Sequence, residues 1–320
     1  MKELRETVKS LLTEGKVDLV IGWEKGTMPG ASTPVFIDTA EKADSLIFDS
    51  TCRNNLSVYF TKDRRELAKD DKKIGVVVKG CDSRSLVLNI TEKQIDREKV
   101  TIIGVPCNGV LDMKKVTGKV DGKEILEFTD DGERVTVKGR EFEQTFPLDE
   151  VISDSCVTCV RRDAVEHDLF IGEAREPGSD ENAYVEVEEF EKLDSGERWA
   201  RMEQEYSACI RCYACRNVCP SCYCNVCFVD QNDPQWIGKS PEITDTMIFH
   251  IIRNLHVAGR CVECGACERA CPMDIKLLLL NRKVAKEVRD RFGSVTGTGL
   301  ENKPAMADFK EDENQDFIMG

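Results

Sequence analysis

The sequence predicts an α/β N-terminal domain, a mostly parallel sheet with a β-hairpin insertion, followed by a cysteine-dense domain of α+β or largely helical character. Three observations carry this. Short apolar runs alternate with helical periodicity in the first half, Asp-Gly turns punctuate alternating β-branched residues after it, and two identical cysteine runs fill the last third.

Residues 2–12 repeat apolar side chains at helical spacing, 17–21 read as a strand and 54–67 as a helix. Residues 74–78 and 100–105 read as buried, mainly apolar strands, with a helix over 83–90 between them. Strands apolar on both faces belong to a parallel sheet covered by helices. From 119 to 146 charged and β-branched residues alternate, with Asp121-Gly122 and Asp131-Gly132 marking hairpins. The stretch 173–191 is acidic, contains Pro177-Gly178 and leads to a helix over 196–206. After the cysteines, an amphipathic helix spans about 276–291, and Gly293 suits its cap. The expected division is an α/β domain over 1–175, an acidic linker and helix over 176–206, a cysteine-rich domain over 207–293 and a mobile acidic tail over 294–320.

Composition narrows the function. The 59 acidic against 45 basic residues, a net charge of -14, would repel nucleic acid and anionic lipid, which leaves proteins and small molecules as partners. The opening MKELRETVKS has no apolar core for a leader, and the run Leu277 to Leu280 is far short of the roughly 20 residues of a membrane span. A soluble, cytoplasmic protein is expected. Sixteen cysteines in that reducing compartment point to metal ligation rather than disulfides.

Cys209-x2-Cys212-x2-Cys215-x3-Cys219-Pro220 recurs with identical spacing as Cys261-x2-Cys264-x2-Cys267-x3-Cys271-Pro272. Three cysteines at intervals of three wrap a tight loop around one [4Fe–4S] cube, and the fourth of each run usually ligates the other cube. Cys209, Cys212, Cys215 and Cys271 are therefore assigned to one cluster, and Cys261, Cys264, Cys267 and Cys219 to the second. Proline after the last ligand lacks an N–H and turns the chain away. Four-thiolate zinc also uses C-x2-C pairs, but not three in succession closed by Cys-Pro. A cube held by four thiolates keeps no open position for substrate, so the chemistry is single-electron transfer. Arg211 and Arg216 beside the first loop, against Glu263, Glu268 and Arg269 beside the second, predict a higher potential for the first cluster.

Eight cysteines remain. Cys81 and Cys107 follow the two apolar strands, so both emerge at the C-terminal edge of the sheet, where open α/β sheets bind ligands. With Cys156-x2-Cys159 they compose a third [4Fe–4S] site; the alternative for Cys81 and Cys107 is ordinary burial. Cys222, Cys224 and Cys227 form a dense group and Cys52 is left over. A fourth cluster, a mononuclear metal or inert thiols all suit these four.

Lys79, Gly80, Asp82, Ser83 and Arg84 join a strand to a helix, a place where a helix N-terminus between two cations could receive a nucleotide phosphate; helix capping alone explains Asp82 and Ser83 equally well. Neither G-x-G-x-x-G nor G-x4-G-K-[ST] is present. His167, His250 and His256 stand in no metal-binding spacing and read as packing or surface residues, as do Trp199 and Trp236.

These residues resemble the beta subunits of coenzyme F420-dependent hydrogenases and dehydrogenases, including archaeal formate dehydrogenase beta subunits and their bacterial relatives. The resemblance rests on Val78-Lys79-Gly80-Cys81-Asp82, Gly104-Val105-Pro106-Cys107, Cys156-x2-Cys159 with Asp168 and Gly172, and the segments 209–227 and 259–280. It implies an FAD beside an N-terminal [4Fe–4S] cluster, with Cys107, Cys156 and Cys159 at that cluster. Arg161 stands where an aspartate is expected, and an N-terminal C-x2-C-x2-C is absent, so Cys52 or Cys81 would complete the set.

The expected function is an iron–sulfur, FAD-containing electron-transfer subunit of an anaerobic oxidoreductase. It would relay electrons between a soluble hydride carrier and a formate dehydrogenase, hydrogenase or heterodisulfide-reductase-like partner. The alternative is a flavin-free polyferredoxin-type wire that only docks partner subunits. A zinc-stabilised interaction protein is the third reading.

Overall fold

A computed structural model describes residues 1–61, 67, 71–179 and 183–305. Its main sheet is built on Leu19–Lys25 (β1). The antiparallel strands Ser32–Ile37 (β2) and Leu46–Ile47 (β3) pair with β1, and so does parallel Ile74–Val78 (β4). Val100–Gly104 (β5) lies parallel beside β4, and Leu169–Phe170 (β9) parallel beside β5, giving the order β2-β1-β4-β5-β9. Every residue of β4 is buried, as an apolar run with both faces covered requires. The mostly parallel sheet is as predicted, whereas β2 and β3 add an antiparallel margin. Pro34 cannot donate to a ladder, which suits β2 to the edge it occupies.

Lys2–Thr13 (α1) buries Leu4, Val8 and Leu11 against this sheet. Val58–Thr61 (α2) is the described part of the helix expected over 54–67, of which 62–66 lie outside the described residues. Gly80–Thr91 (α3) crosses from β4 to β5, and Met113–Lys119 (α4) follows. Asp121 and Gly122 both take left-handed φ, 53° and 71°, and close α4 rather than a hairpin. That corrects one turn of the expected insertion, since left-handed residue pairs serve helix ends as well as hairpins. The other turn, Asp131-Gly132, does join Glu127–Asp130 (β6) to Arg134–Lys138 (β7), and Glu143–Pro147 (β8) completes a three-stranded antiparallel sheet. Val135 and Val137 from its middle strand pack with Leu111, Val116, Leu148 and Val151 in a small core of their own. Asp154–Val157 (α5) then carries Cys156.

The second lobe consists of Val185–Glu191 (α6), Ser195–Tyr206 (α7), Ala214–Asn217 (α8), Ile243–His256 (α9), Ala266–Arg269 (α10) and Leu278–Phe292 (α11). Among its described residues there is no strand, so the helical form of the expectation holds here. Asp194 and Glu197 cap α7 reciprocally, and Gly293 at φ 64° ends α11. The acidic stretch expected as a linker supplies Val187, Phe190, Met202 and Tyr206 to this lobe's core. Past α11 the chain docks on the first lobe: Arg84 Nε donates to Thr296 O at 3.0 Å, and a Cβ on Gly297 would lie 2.1 Å from Arg84 O. Residues 180–182 of the expected linker and 306–320 of the expected tail are outside the described residues. Among the described residues no helix is long and apolar enough to cross a membrane.

The lobes are joined by hydrogen bonds around the cysteines. Arg84 Nη1 donates to Val262 O at 3.0 Å and Arg269 Nη2 to Arg53 O at 3.1 Å. Asp154 accepts from Lys115 of the first lobe at 2.7 Å and from Lys276 of the second at 2.8 Å.

Candidate iron-sulfur centres

The two cysteine runs fold alike. Arg211 and Tyr213 in the first loop have φ of 55° and 59°; Glu263 and Gly265, at the same positions of the second, have 59° and 69°. A non-glycine residue in the left-handed region costs on the order of 1–3 kcal/mol. The return is geometric: alternating backbone hands turn N–H groups inward as a nest for anionic sulfur. Arg211 N and Glu263 N each donate to the preceding cysteine, Cys209 and Cys261, at 3.4 Å. A helical turn then presents the third cysteine of each run, Cys215 on α8 and Cys267 on α10.

Burial pushes the Cys209 thiol up, and Cys271 and Cys212 add to the shift. Burial raises Cys215 as well, opposed by Arg253 and reinforced by Cys209 and Cys271. Around the second run, burial raises Cys261, with Glu263, Cys219 and Cys267 reinforcing it. Cys267 is pushed up to about 12 by burial, against Arg253 and with help from Cys264 and Cys219. Such mutual charge effects require proximity. Cys271 of the second run thus lies among the first-run thiols, and Cys219 of the first run among the second-run thiols.

These residues fit a [4Fe–4S] pair. Clustered thiols that resist ionisation in the protein alone need a cation to hold them as thiolates. All sixteen cysteines are free of disulfides. Among the described residues no three His, Cys, Asp or Glu side chains converge tightly enough for a single metal ion. Thiols around a four-iron cube stand further apart than ligands of one ion.

In the first lobe, Cys81 opens α3 after β4 and Cys107 follows β5, at the C-terminal edge of the parallel strands. Gly109 N donates to Cys107 Sγ and Val110 N to Cys156 Sγ, both at 3.4 Å. Burial pushes Cys107 up to about 12, with Cys156 and Cys159 reinforcing the shift. Cys81 is raised by burial and by Asp82, and the thiols it senses include Cys264 of the second lobe as well as Cys107. One cavity of about 70 Å³ is lined by Cys81, Cys156, Cys159 and Cys264 together. Gly265 permits this approach: a Cβ there would meet Ser155 Oγ at 2.3 Å. Its counterpart in the first run is Tyr213, so the second-run loop is the one shaped to face the first lobe.

The strand-to-helix turn considered for a phosphate spends its polar groups on the protein itself. Lys79 Nζ is buried, pairs with Asp82 at 2.8 Å, donates to Asn54 O at 3.0 Å and lies 4.0 Å from the Trp23 ring centroid. Gly80 N donates to Arg162 O, Ser83 Oγ bonds Glu166, and Arg84 bonds Val262 and Thr296. Lys79 and Asp82 thus lock the start of α3 beneath Cys81.

Of the remaining cysteines, Cys52 belongs to the first lobe's apolar core, where burial pushes it up to about 12 with Asp49 reinforcing. Cys222, Cys224 and Cys227 line a separate cavity of about 420 Å³ with Phe228, Arg253 and His256. Core and cavity share none of these four cysteines, so they do not form one set.

Two residues on α9 were not legible as site residues. His250 Nε2 stands 3.3 Å from Cys209 Sγ, with its ring stacked on Tyr206 at 4.1 Å between centroids. Burial lowers its pKa to about 3, with Arg253 and Arg211 adding to the shift, so the ring is neutral. Arg253, one turn on, is 3% exposed. The available signal was the i, i+3 pairing of His250 and Arg253 within the mainly apolar stretch 247–255 between the motifs.

The interlocked runs define a class: residues 208–276 match the family model described as a 4Fe-4S dicluster domain. Over nearly its whole length the chain is similar to the beta subunit of F420-dependent formate dehydrogenase from Methanocaldococcus jannaschii, 26% identical over 350 residues, covering 90% of this chain and 89% of the relative. It is likewise similar to subunit beta of F420-dependent formate dehydrogenase 1 from Methanococcus maripaludis, 25% identical over 358 residues, with 93% and 91% covered. A chain from the F420-reducing [NiFe] hydrogenase complex of Methanosarcina barkeri aligns over 49% of this chain and 58% of that one. Its identity is 19% and its TM-score 0.38.

Proposed function

We propose that the chain is an electron-transfer subunit holding three [4Fe–4S] clusters in series and joined to the catalytic subunit of a formate dehydrogenase, hydrogenase or heterodisulfide-reductase-like complex. Cys81, Cys107, Cys156 and Cys159 would hold the first. Cys261, Cys264, Cys267 and Cys219 would hold the next, and Cys209, Cys212, Cys215 and Cys271 the last. Bound there, such clusters supply one-electron chemistry. The observation that carries this reading is the shared cavity of Cys81, Cys156, Cys159 and Cys264, which sets first-lobe thiols against the second run. At the far end Cys212 is exposed, beside exposed Ile210, as an outlet to a partner requires.

The named relatives are F420-dependent, and a deazaflavin delivers a hydride, whereas cubes accept single electrons. An FAD in the first lobe would convert between the two. The cavity beside Cys107, lined by Phe48, Asp49, Ser50, Asn108 and Gly132, lies at the ligand-binding edge of the sheet. It encloses about 230 Å³, less than the roughly 300–1,000 Å³ of most ligand pockets, and so does not accommodate a whole dinucleotide.

Anaerobic purification with iron and zinc analysis, a visible spectrum and acid-released flavin tests these readings. About twelve irons per chain with broad absorbance bleached by dithionite supports the series. Eight irons removes the first-lobe cluster, and zinc without iron ends the electron-transfer reading. Stoichiometric FAD favours the converter over the flavin-free wire.

A further inference from the structure

Arg253 is a buried cation without a counter-ion. Its guanidinium, 3% exposed, donates through Nη2 to Cys215 O at 3.2 Å, while Nε and Nη1 are buried with no hydrogen-bond partner. Among the described residues no carboxylate pairs with it. A charge taken out of water and left unpaired costs several kcal/mol, so the fold must supply negative charge of another kind.

The surrounding groups are thiols from both cysteine runs. Burial works against charge on Arg253, yet Cys267, Cys219, Cys215 and Cys222 together hold its pKa above the ordinary value. In the assignment above, Cys215 belongs to one cube and Cys267 and Cys219 to the other. The position on α9 explains the placement: this helix is the chain between the runs, and its Met247 and Phe249 pack in one buried cluster with Cys215 of the first run and Cys267 and Cys271 of the second.

We infer that Arg253 is a shared counter-charge, a positioning residue that raises the reduction potentials of both second-lobe clusters together. This rests on the iron–sulfur reading of those eight cysteines. Each cube gains one negative charge on reduction, and a cation enclosed between the two, away from solvent screening, favours the reduced form of each. Arg216 and Arg211 cannot substitute for it. Arg216 is paired with Asp230 at 2.7 Å, and Arg211 is tied to Ser240 O and Gly238 O on the side of the first loop.

The test compares wild type, Arg253→Lys and Arg253→Gln in EPR-monitored redox titrations, with iron content measured on the same anaerobic samples. Iron-free wild type removes the underlying cluster reading and is distinguished from failure of the inference by that measurement. With iron retained, the Gln variant is expected to shift both midpoints to lower potential by at least about tenfold in the reduction equilibrium, about 59 mV for one electron. The Lys variant keeps most of the wild-type value. Unchanged midpoints, or a shift in one cluster alone, overturn the shared role. Should the Gln variant lose iron, restoration of iron and of both potentials by Lys supports a charge requirement. Equal iron loss in the Lys variant makes Arg253 a packing element and overturns the inference.

Discussion

His250 Nε2 lies 3.3 Å from Cys209 Sγ, and the opposite ring nitrogen, Nδ1, is buried without a hydrogen-bond partner. The ring is neutral, so it carries one hydrogen. On Nδ1 that hydrogen would be a buried unsatisfied donor, while the Nε2 lone pair faced a thiolate. The tautomer with hydrogen on Nε2 follows, and His250 donates to Cys209. Donors to a ligating sulfur favour the reduced cluster. Replacing His250 by Phe is expected to lower the potential of the cluster held by Cys209, leaving the cluster held by Cys261 within error. Equal shifts in both, read by EPR titration, would contradict a bond confined to Cys209.

Among the described residues, Lys79 and Asp82 make the most deeply enclosed ion pair, 2.8 Å apart at 2% and 0% side-chain exposure. Burial opposes charge on Lys79, but Asp82 and Cys81 hold its pKa above the usual range. Removing one partner strands the other. Lys79→Met should destabilise the protein by about 3–5 kcal/mol, and adding Asp82→Asn should recover part of that loss. Urea unfolding followed by circular dichroism measures both. A loss below about 1 kcal/mol for the single variant would show that the pair is not needed at this site.

Much of the first lobe was legible because β4 and β5 are apolar on both faces, a pattern few other elements share. The edge strand β2 was not, since its six residues STPVFI hold Pro34 and show neither a continuous apolar run nor alternation. The doubled Cys-Pro runs likewise announced themselves by spacing. His250 and Arg253 stayed hidden because helical periodicity tells which residues share a face, not what that face meets. The cations Lys79 and Arg84 suggested a phosphate because charge is visible in a sequence, whereas the groups that absorb it are not. Asp82 is near in the chain, but Val262 and Thr296 are far from Arg84 along it. Counting charges beside each loop leaves out their partners for the same reason: Arg216 pairs with Asp230 at 2.7 Å, and Glu263 with Arg282 at 3.2 Å.

Asp154 ties the lobes through Lys115 and Lys276. Burial would raise its carboxyl, but hydrogen bonds from the two lysines outweigh that and hold its pKa below the ordinary value. A depressed folded pKa adds stability above the unfolded value, about 3.9, which is lost as pH falls through the folded one. Both lysines are half-exposed or nearly so, so Asp154→Asn should cost under about 1 kcal/mol. The wild-type advantage should stay level from pH 7 to about pH 5 and shrink only below about pH 4. Urea midpoints of the two proteins across that range measure it. An advantage that fades between pH 7 and 5 would assign it to a different group.

The exchange of fourth ligands makes the sharpest prediction about the cysteines. Cys261, Cys264 and Cys267 each sense Cys219, whereas Cys209 and Cys215 each sense Cys271. If each run closed its own cube, Cys219→Ser would disturb the cluster of Cys209, Cys212 and Cys215. The crossed arrangement reverses this. Cys219→Ser should alter or remove the EPR signal of the second-run cluster, and Cys271→Ser that of the first-run cluster. The two signals would be told apart beforehand by which of them His250→Phe moves. If the ligands cross, neither run folds around iron alone, since each cube would need a thiol from beyond α9. Loss of either fourth cysteine should therefore loosen α9 itself, detectable as faster amide exchange over 243–256 in both variants, with Cys52→Ser as an unaffected control. Exchange that stays at the wild-type rate while iron is lost would separate cluster assembly from the packing of this helix.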